Sequence, residues 1–139
     1  MSILIKNGTV VTAADLHRAD VLIEGEHVKA IGHDLKAEGA EVIDAKGLFV
    51  MPGGIDPHVH LAMPFMGTFS SDDYSTGTLA ALHGGTTMVI DFILQTQGKS
   101  LHHALETWQG RMKGNLYGDL GWHMAVTDFN DDTKKEVKE

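Results

Sequence analysis

Over the first fifty residues, apolar and β-branched positions come in short runs punctuated by turn residues: 3–12 (ILIKNGTVVT), 19–32 (ADVLIEGEHVKAIG) and 40–53 (AEVIDAKGLFVMPG). Runs of this length and composition predict strands. Asn7-Gly8 and Glu24-Gly25-Glu26-His27 sit between such runs. Asn-Gly tolerates positive φ at both positions and is a strong hairpin signal, so residues 1–50 are expected to form a small antiparallel sheet. Beyond Pro52 the rhythm becomes strand, loop, helix, strand, helix, strand. Residues 54–61 (GIDPHVHL) read as a strand, and 71–85 as a helix opened by a Ser71 cap, with Asp72 and Asp73 at its positive end and Gly84-Gly85 as its stop. Residues 86–94 (TTMVIDFIL) form a nearly unbroken apolar run, the pattern of a parallel strand covered on both faces. Leu101, Leu105, Trp108 and Met112 recur at helical spacing, 119–129 read as a third strand, and 130–139 as the start of a third helix.

Repeated βα units imply a parallel sheet, hence a doubly wound sheet or a (β/α)₈ barrel. A closed barrel takes roughly 250 residues, and three units cannot close one. The 139 residues are therefore expected to be the front part of a longer protein, with one boundary near Val50. Composition narrows the partners. Nineteen acidic against eleven basic residues give a net charge of -8, a field that repels phosphate backbones and anionic lipid headgroups, so neither nucleic acid nor membrane is expected as a partner. The absence of cysteine removes disulfides and thiolate sites, so any metal must take nitrogen and oxygen ligands. No signal peptide and no run near the ~18 apolar residues of a membrane span is present. A soluble, cytoplasmic protein is the expectation.

The chemistry concentrates in residues 52–67 (PGGIDPHVHLAMPFMG). Residues i and i+2 of a strand point to one face, so His58 and His60 project together. Two imidazoles there can grip one metal ion, and the carboxyl ends of parallel strands in a barrel are where active sites gather. Pro57 and Pro64 fix φ on either side. Taken alone, the pair is a weak signal, because two histidines can also satisfy backbone groups or face water.

Residues 47–67 followed by 71–92 closely resemble the amino-terminal part of the dihydropyrimidinase and hydantoinase branch of the cyclic amidohydrolases. The resemblance runs over essentially the whole chain, and the His pair, the MPFMGT loop and the GGTT turn occur in order. It implies an α/β fold: a (β/α)₈ TIM-barrel amidohydrolase, with residues 1–50 as strands of a small β-sandwich domain and 51–139 as the first three, unclosed βα units. It implies hydrolytic ring opening of cyclic ureides, 5,6-dihydropyrimidines or hydantoins, at a site of two zinc ions, in a homotetramer serving pyrimidine catabolism. His58 and His60 match the His-x-His that holds the more buried metal, and the metals activate water and polarise the ring carbonyl. The carboxylated lysine, further histidines and aspartate that complete such a site match no residue here. No catalytic residue is assigned within the chain, and the 139 residues alone are expected to be inactive. Dihydroorotases usually carry Arg two residues after the second histidine, where Ala62 stands, which favours an uncharged ring. Met63 and Phe65 match a loop that contacts the ring substituent, and are either substrate contacts or anchors packed on the barrel rim. Another cyclic amidohydrolase, allantoinase or dihydroorotase, and a silent scaffold of the collapsin response mediator type are the alternatives.

Other residues carry weaker readings. Asp56 could orient a ligand imidazole or hydrogen-bond to backbone at the strand end. His123 is read as buried and hydrogen-bonded, with the lumen as the alternative; His102 and His103 are read as exposed on a helix. Asp91, in an otherwise apolar strand, needs partners if buried and could lie in or near the site. The tail from Asn130 is read as a solvated helix face.

Overall fold

The computed structural model describes residues 1–138; Glu139, the last residue of the stretch read as a third helix, lies outside the described residues. The chain divides into two compact units, Met1–Pro52 and a second beginning at Gly53.

The first unit is one five-stranded sheet of β1 (Ser2–Val11), β2 (Leu16–Glu24), β3 (His27–Gly32), β4 (Glu41–Asp44) and β5 (Phe49–Val50). Its order is β3-β2-β1-β4, with β5 also on β1. The sheet is mixed, not antiparallel as expected, because β4 and β5 both pair parallel with β1. The Gly25-Glu26 turn joins β2 to β3, as the sequence predicts.

Asn7-Gly8 is not a hairpin. It is a bulge inside β1, with Asn7 at φ 63° and the pairing to β2 shifting between Ile5 and Gly8. Long-range partners hold the bulge. The Asn7 amide donates to Asp20 Oδ1 (3.0 Å), its side-chain Nδ2 to Asp44 Oδ1 (2.9 Å), and the Ala45–Leu48 turn between β4 and β5 bonds back to Lys6 and Thr9. Glycine is required at position 8 because a Cβ would sit 2.5 Å from Val50 Cγ2. Val10, Ala19 and Val21 form the buried apolar cluster of this unit, flanked by Ile5, Ile23 and Val50.

The second unit starts with β6 (Gly54–Val59), followed by a two-stranded hairpin of β7 (Pro64–Phe65) and β8 (Thr68–Phe69). Then come α1 (Tyr74–His83), β9 (Thr86–Leu94), α2 (Leu101–Met112), β10 (Asp119–Ala125) and α3 (Asp131–Glu136). Strands β6, β9 and β10 form an open parallel sheet in the order β10-β9-β6. Burial along β9 has period two: Val89, Asp91 and Ile93 are buried, whereas Met88, Ile90 and Phe92 are half-buried. Among the described residues helices cover only the face of Val89, Asp91 and Ile93, which corrects the expectation of a strand enclosed on both. Val89 and Ile93 pack there with Leu61, Tyr74, Ala104 and Trp108.

Helix α1 is capped by Asp73, not Ser71. The Asp73 carboxylate accepts from the Thr76 amide (2.8 Å) and Thr76 Oγ1 accepts from the Asp73 amide (3.1 Å), a capping box that holds the Asp73 carboxyl below its ordinary range. Gly84-Gly85 ends the helix as predicted. Gln95, buried just past β9, joins two loops: its Nε2 donates to the Lys99 and Asp128 carbonyls, and its Oε1 accepts from the Thr127 and Asp128 amides. Among the described residues no helix is long and apolar enough to cross a membrane.

The Asn7 amide, helped by Lys6 and the Leu35 amide, holds the Asp20 carboxyl below its ordinary range although burial pushes the other way. A lowered folded-state value gives stabilisation that is full above the ordinary aspartate pKa and lost as pH falls through the folded one. Asp20→Asn is expected to lower stability in urea by about 2 kcal/mol at neutral pH, with the difference shrinking in acid; a pH-independent difference would contradict this. Separately, a Cβ at Gly53 would overlap both branches of Thr87 and lie 2.7 Å from its Cβ. Gly53→Ala is expected to cost about 1–3 kcal/mol by overpacking, read as a lower urea midpoint.

Candidate metal centre

Strand β6 is interrupted where its chemistry begins. Its pairing with β9 slips between Asp56 and Val59, and the Asp56 carboxylate accepts the His58 backbone N–H at 3.1 Å. Asp56 therefore shapes the backbone under His58 and does not bond an imidazole. His58 lies in β6 and His60 one residue past its end, both exposed. Their Nε2 atoms are 3.1 Å apart. The two rings meet edge-on at 5.0 Å between centroids, and both rest on Phe92 of β9, at 4.5 Å from His58 and 5.3 Å from His60. Phe92 carried no signal in the sequence beyond its place in an apolar run.

His123 is exposed on β10, which corrects the expectation that it is buried; its hydrogen bond is as expected. It joins the same cluster, 4.9 Å from the Phe92 ring, and its Nε2–H donates to the Pro57 carbonyl at 3.0 Å. With that nitrogen protonated and engaged, His123 buttresses the backbone before His58. His102 and His103 stand exposed on α2, as predicted.

The turn after His60 is bonded residue by residue. The Leu61 amide donates to Asp91 Oδ1 (3.3 Å), the Ala62 amide to the Asp72 carbonyl (2.9 Å) and the Met63 amide to Ser70 Oγ (2.9 Å). Ala62 takes a left-handed φ of 48°, and its carbonyl accepts from Arg111 Nη1 at 3.3 Å. Asp91 is 0% exposed and accepts from Tyr74 Oη (2.7 Å) and the Phe92 amide (2.7 Å) as well. Burial pushes the Asp91 carboxyl up against the opposing pull of these donors, and burial with the adjoining carboxylate raises the Tyr74 phenol. Asp91 thus lies on the helix-facing side of the sheet, behind the histidines.

Met63 and Phe65 line a cavity of about 440 Å³ together with His60, Thr68, Phe69 and Ser70. Met63 is buried, whereas Phe65 is 63% exposed on the hairpin. Thr68 and Phe69 carry no signal of their own in the sequence, whose pattern over the β7–β8 hairpin predicts a loop. Its signal was Met66-Gly67, whose positive φ values of 49° and 81° fit the two-residue turn that joins short strands.

The donor set fits a metal ion as a partial ligand shell. Two imidazole nitrogens 3.1 Å apart are closer than the sum of two zinc–nitrogen bonds, about 4.1 Å, so both can bond one ion at a bent angle. Among the described residues no group of three or more His, Cys, Asp or Glu side chains gathers. His58 and His60 offer two nitrogen donors to such an ion.

The amidohydrolase family model matches residues 49–128. The chain is 50% identical over 137 residues to D-hydantoinase of Geobacillus stearothermophilus, covering 99% of this chain and 29% of that protein. It is 45% identical over 141 residues to dihydropyrimidinase of Rattus norvegicus, covering 98% of this chain and 27% of that one. The crystal structure of dihydropyrimidinase from Brevibacillus agri superposes with a TM-score of 0.95 at 55% identity, over 99% of this chain and 30% of that chain. The chain spans less than a third of the length of these relatives. The family match takes in all three parallel strands from Gly54 onward and the histidines they bring together: this chain belongs to the amidohydrolase family.

Proposed function

We propose that the polypeptide carrying these residues hydrolyses the ring amide of uncharged cyclic ureides, dihydropyrimidines or hydantoins, at a site of two zinc ions to which His58 and His60 contribute. The observation that carries this reading is the convergence of the two Nε2 atoms, 3.1 Å apart, at the carboxyl end of a parallel strand and beside an apolar cavity. To act as ligands, both imidazoles keep their protons on Nδ1 and turn the Nε2 lone pairs to the ion. Zinc bound there supplies an activated water near neutral pH and polarises the carbonyl to be attacked. The chain's own residues do the rest of the local work. Phe92 supports both rings from beneath, and Met63, Phe65 and Phe69 wall a space suited to an apolar ring substituent. Ala62 offers no cation to a substrate carboxylate, which disfavours dihydroorotate.

The 139 residues alone are proposed to be inactive, because His58 and His60 are only two donors of the required shell. The homotetramer rests on the resemblance to the hydantoinase branch.

The test measures zinc content and ring opening of dihydrouracil, hydantoin and dihydroorotate by the polypeptide as its source makes it. Close to two zinc ions per chain, turnover of the two neutral rings and little of dihydroorotate are expected. His58→Ala and His60→Ala should each lower kcat/KM by about 10²-fold or more and lower the zinc content. Full zinc and full turnover in either variant would overturn the assignment, and a zinc-free, inactive wild type would favour a binding scaffold. The isolated 139-residue chain should show no turnover.

A further inference from the structure

The histidine pair is gripped from its covered side by a group outside the cavity. Adjacent residues of β9 point to opposite faces, and here both neighbours act on one turn. Phe92 lies under the two imidazoles, and Asp91, one residue earlier, reaches through to the Leu61 amide directly after His60. The carboxylate is fully buried, a costly place for a charge. Each of its oxygens is nevertheless bonded: Oδ1 to the Leu61 and Phe92 amides, and Oδ2 to Tyr74 Oη at 2.7 Å. Tyr74, the first residue of α1, is 1% exposed, and its ring meets Trp122 of β10 edge-on. An apolar residue at 91 would pack in this layer without the cost of a buried charge, but it would leave the Leu61 amide unpartnered.

We propose that Asp91, oriented by Tyr74, is a positioning residue that sets the aim of the His60 imidazole toward His58 by fixing the backbone at Leu61. The inference rests on the metal-ligand reading of the histidines, but the clamp itself can be measured without metal.

The experiment uses the full-length polypeptide, metal-free and then titrated with zinc against a chromophoric chelator. Tyr74→Phe keeps the ring and removes only the hydroxyl. In the metal-free protein it should speed Leu61 amide exchange by about tenfold or more while the Ile93 amide keeps its protection. In the titration, Asp91→Ala should weaken zinc binding by about 10–100-fold. Asp91→Asn, which retains an acceptor for the Leu61 amide, should recover most of that loss. If Asp91→Ala does not fold, Tyr74→Phe is expected to weaken zinc binding in the same direction. Unchanged Leu61 exchange in Tyr74→Phe would overturn the clamp whatever the metal does. Zinc binding by Asp91→Ala within about twofold of wild type, or equal loss in the Asn and Ala variants, would overturn the positioning role. Faster Leu61 exchange in Tyr74→Phe, alongside a wild type that holds no zinc, would support the clamp and refute the metal reading alone.

Discussion

The two faces of β9 do different work, and the second unit is organised by that division. Val89 and Ile93 on one face bury themselves against Tyr74, Ala104 and Trp108. Phe92 on the other carries three imidazoles. A strand allows this because its side chains alternate with period two, and a slip of one residue would exchange the faces. Parallel pairing to β6 and β10 fixes the register. The helix layer and the histidine cluster are therefore set by one alignment, with Asp91 linking them through the backbone after His60.

The irregularities in this chain have long-range causes. In β1, Asn7 leaves the extended region because Asp20 takes its amide and Asp44 its side chain, residues 13 and 37 positions away. In β6, the slipped pairing between Asp56 and Val59 lets His58 and His60 rest on the same ring. A bulge that re-aims a side chain beside a functional site is a recurrent device of sheets.

That distinction also explains which features were legible in the sequence. β9 is readable from its apolar, β-branched run, α2 from its helical spacing and the histidine pair from its i, i+2 spacing, since these are local properties. The role of Asn7-Gly8 was not, because its local preference for positive φ serves a hairpin or a bulge equally well, and distant partners choose between them. The parallel pairing of β4 and β5 was hidden for the same reason. Ser71 and Asp73 are both good caps, and the return bond from Thr76 decided for Asp73. His123 and Phe92 became visible as site neighbours only once β10 and β6 were placed on either side of β9. Gln95 offered no pattern at all, since its partners lie in two loops brought together by the fold.

The central claim is that His58 and His60 are pre-aligned on a single ion. Long-range proton–nitrogen NMR of the imidazoles during zinc titration of the full-length protein tests it most directly. The account predicts that the Nε2 signals of His58 and His60 move together, with one concentration dependence, while His17, His27 and His33 of the first unit stay in place. Independent titration of the two rings, or metal-induced shifts at Nδ1 instead of Nε2, would contradict it.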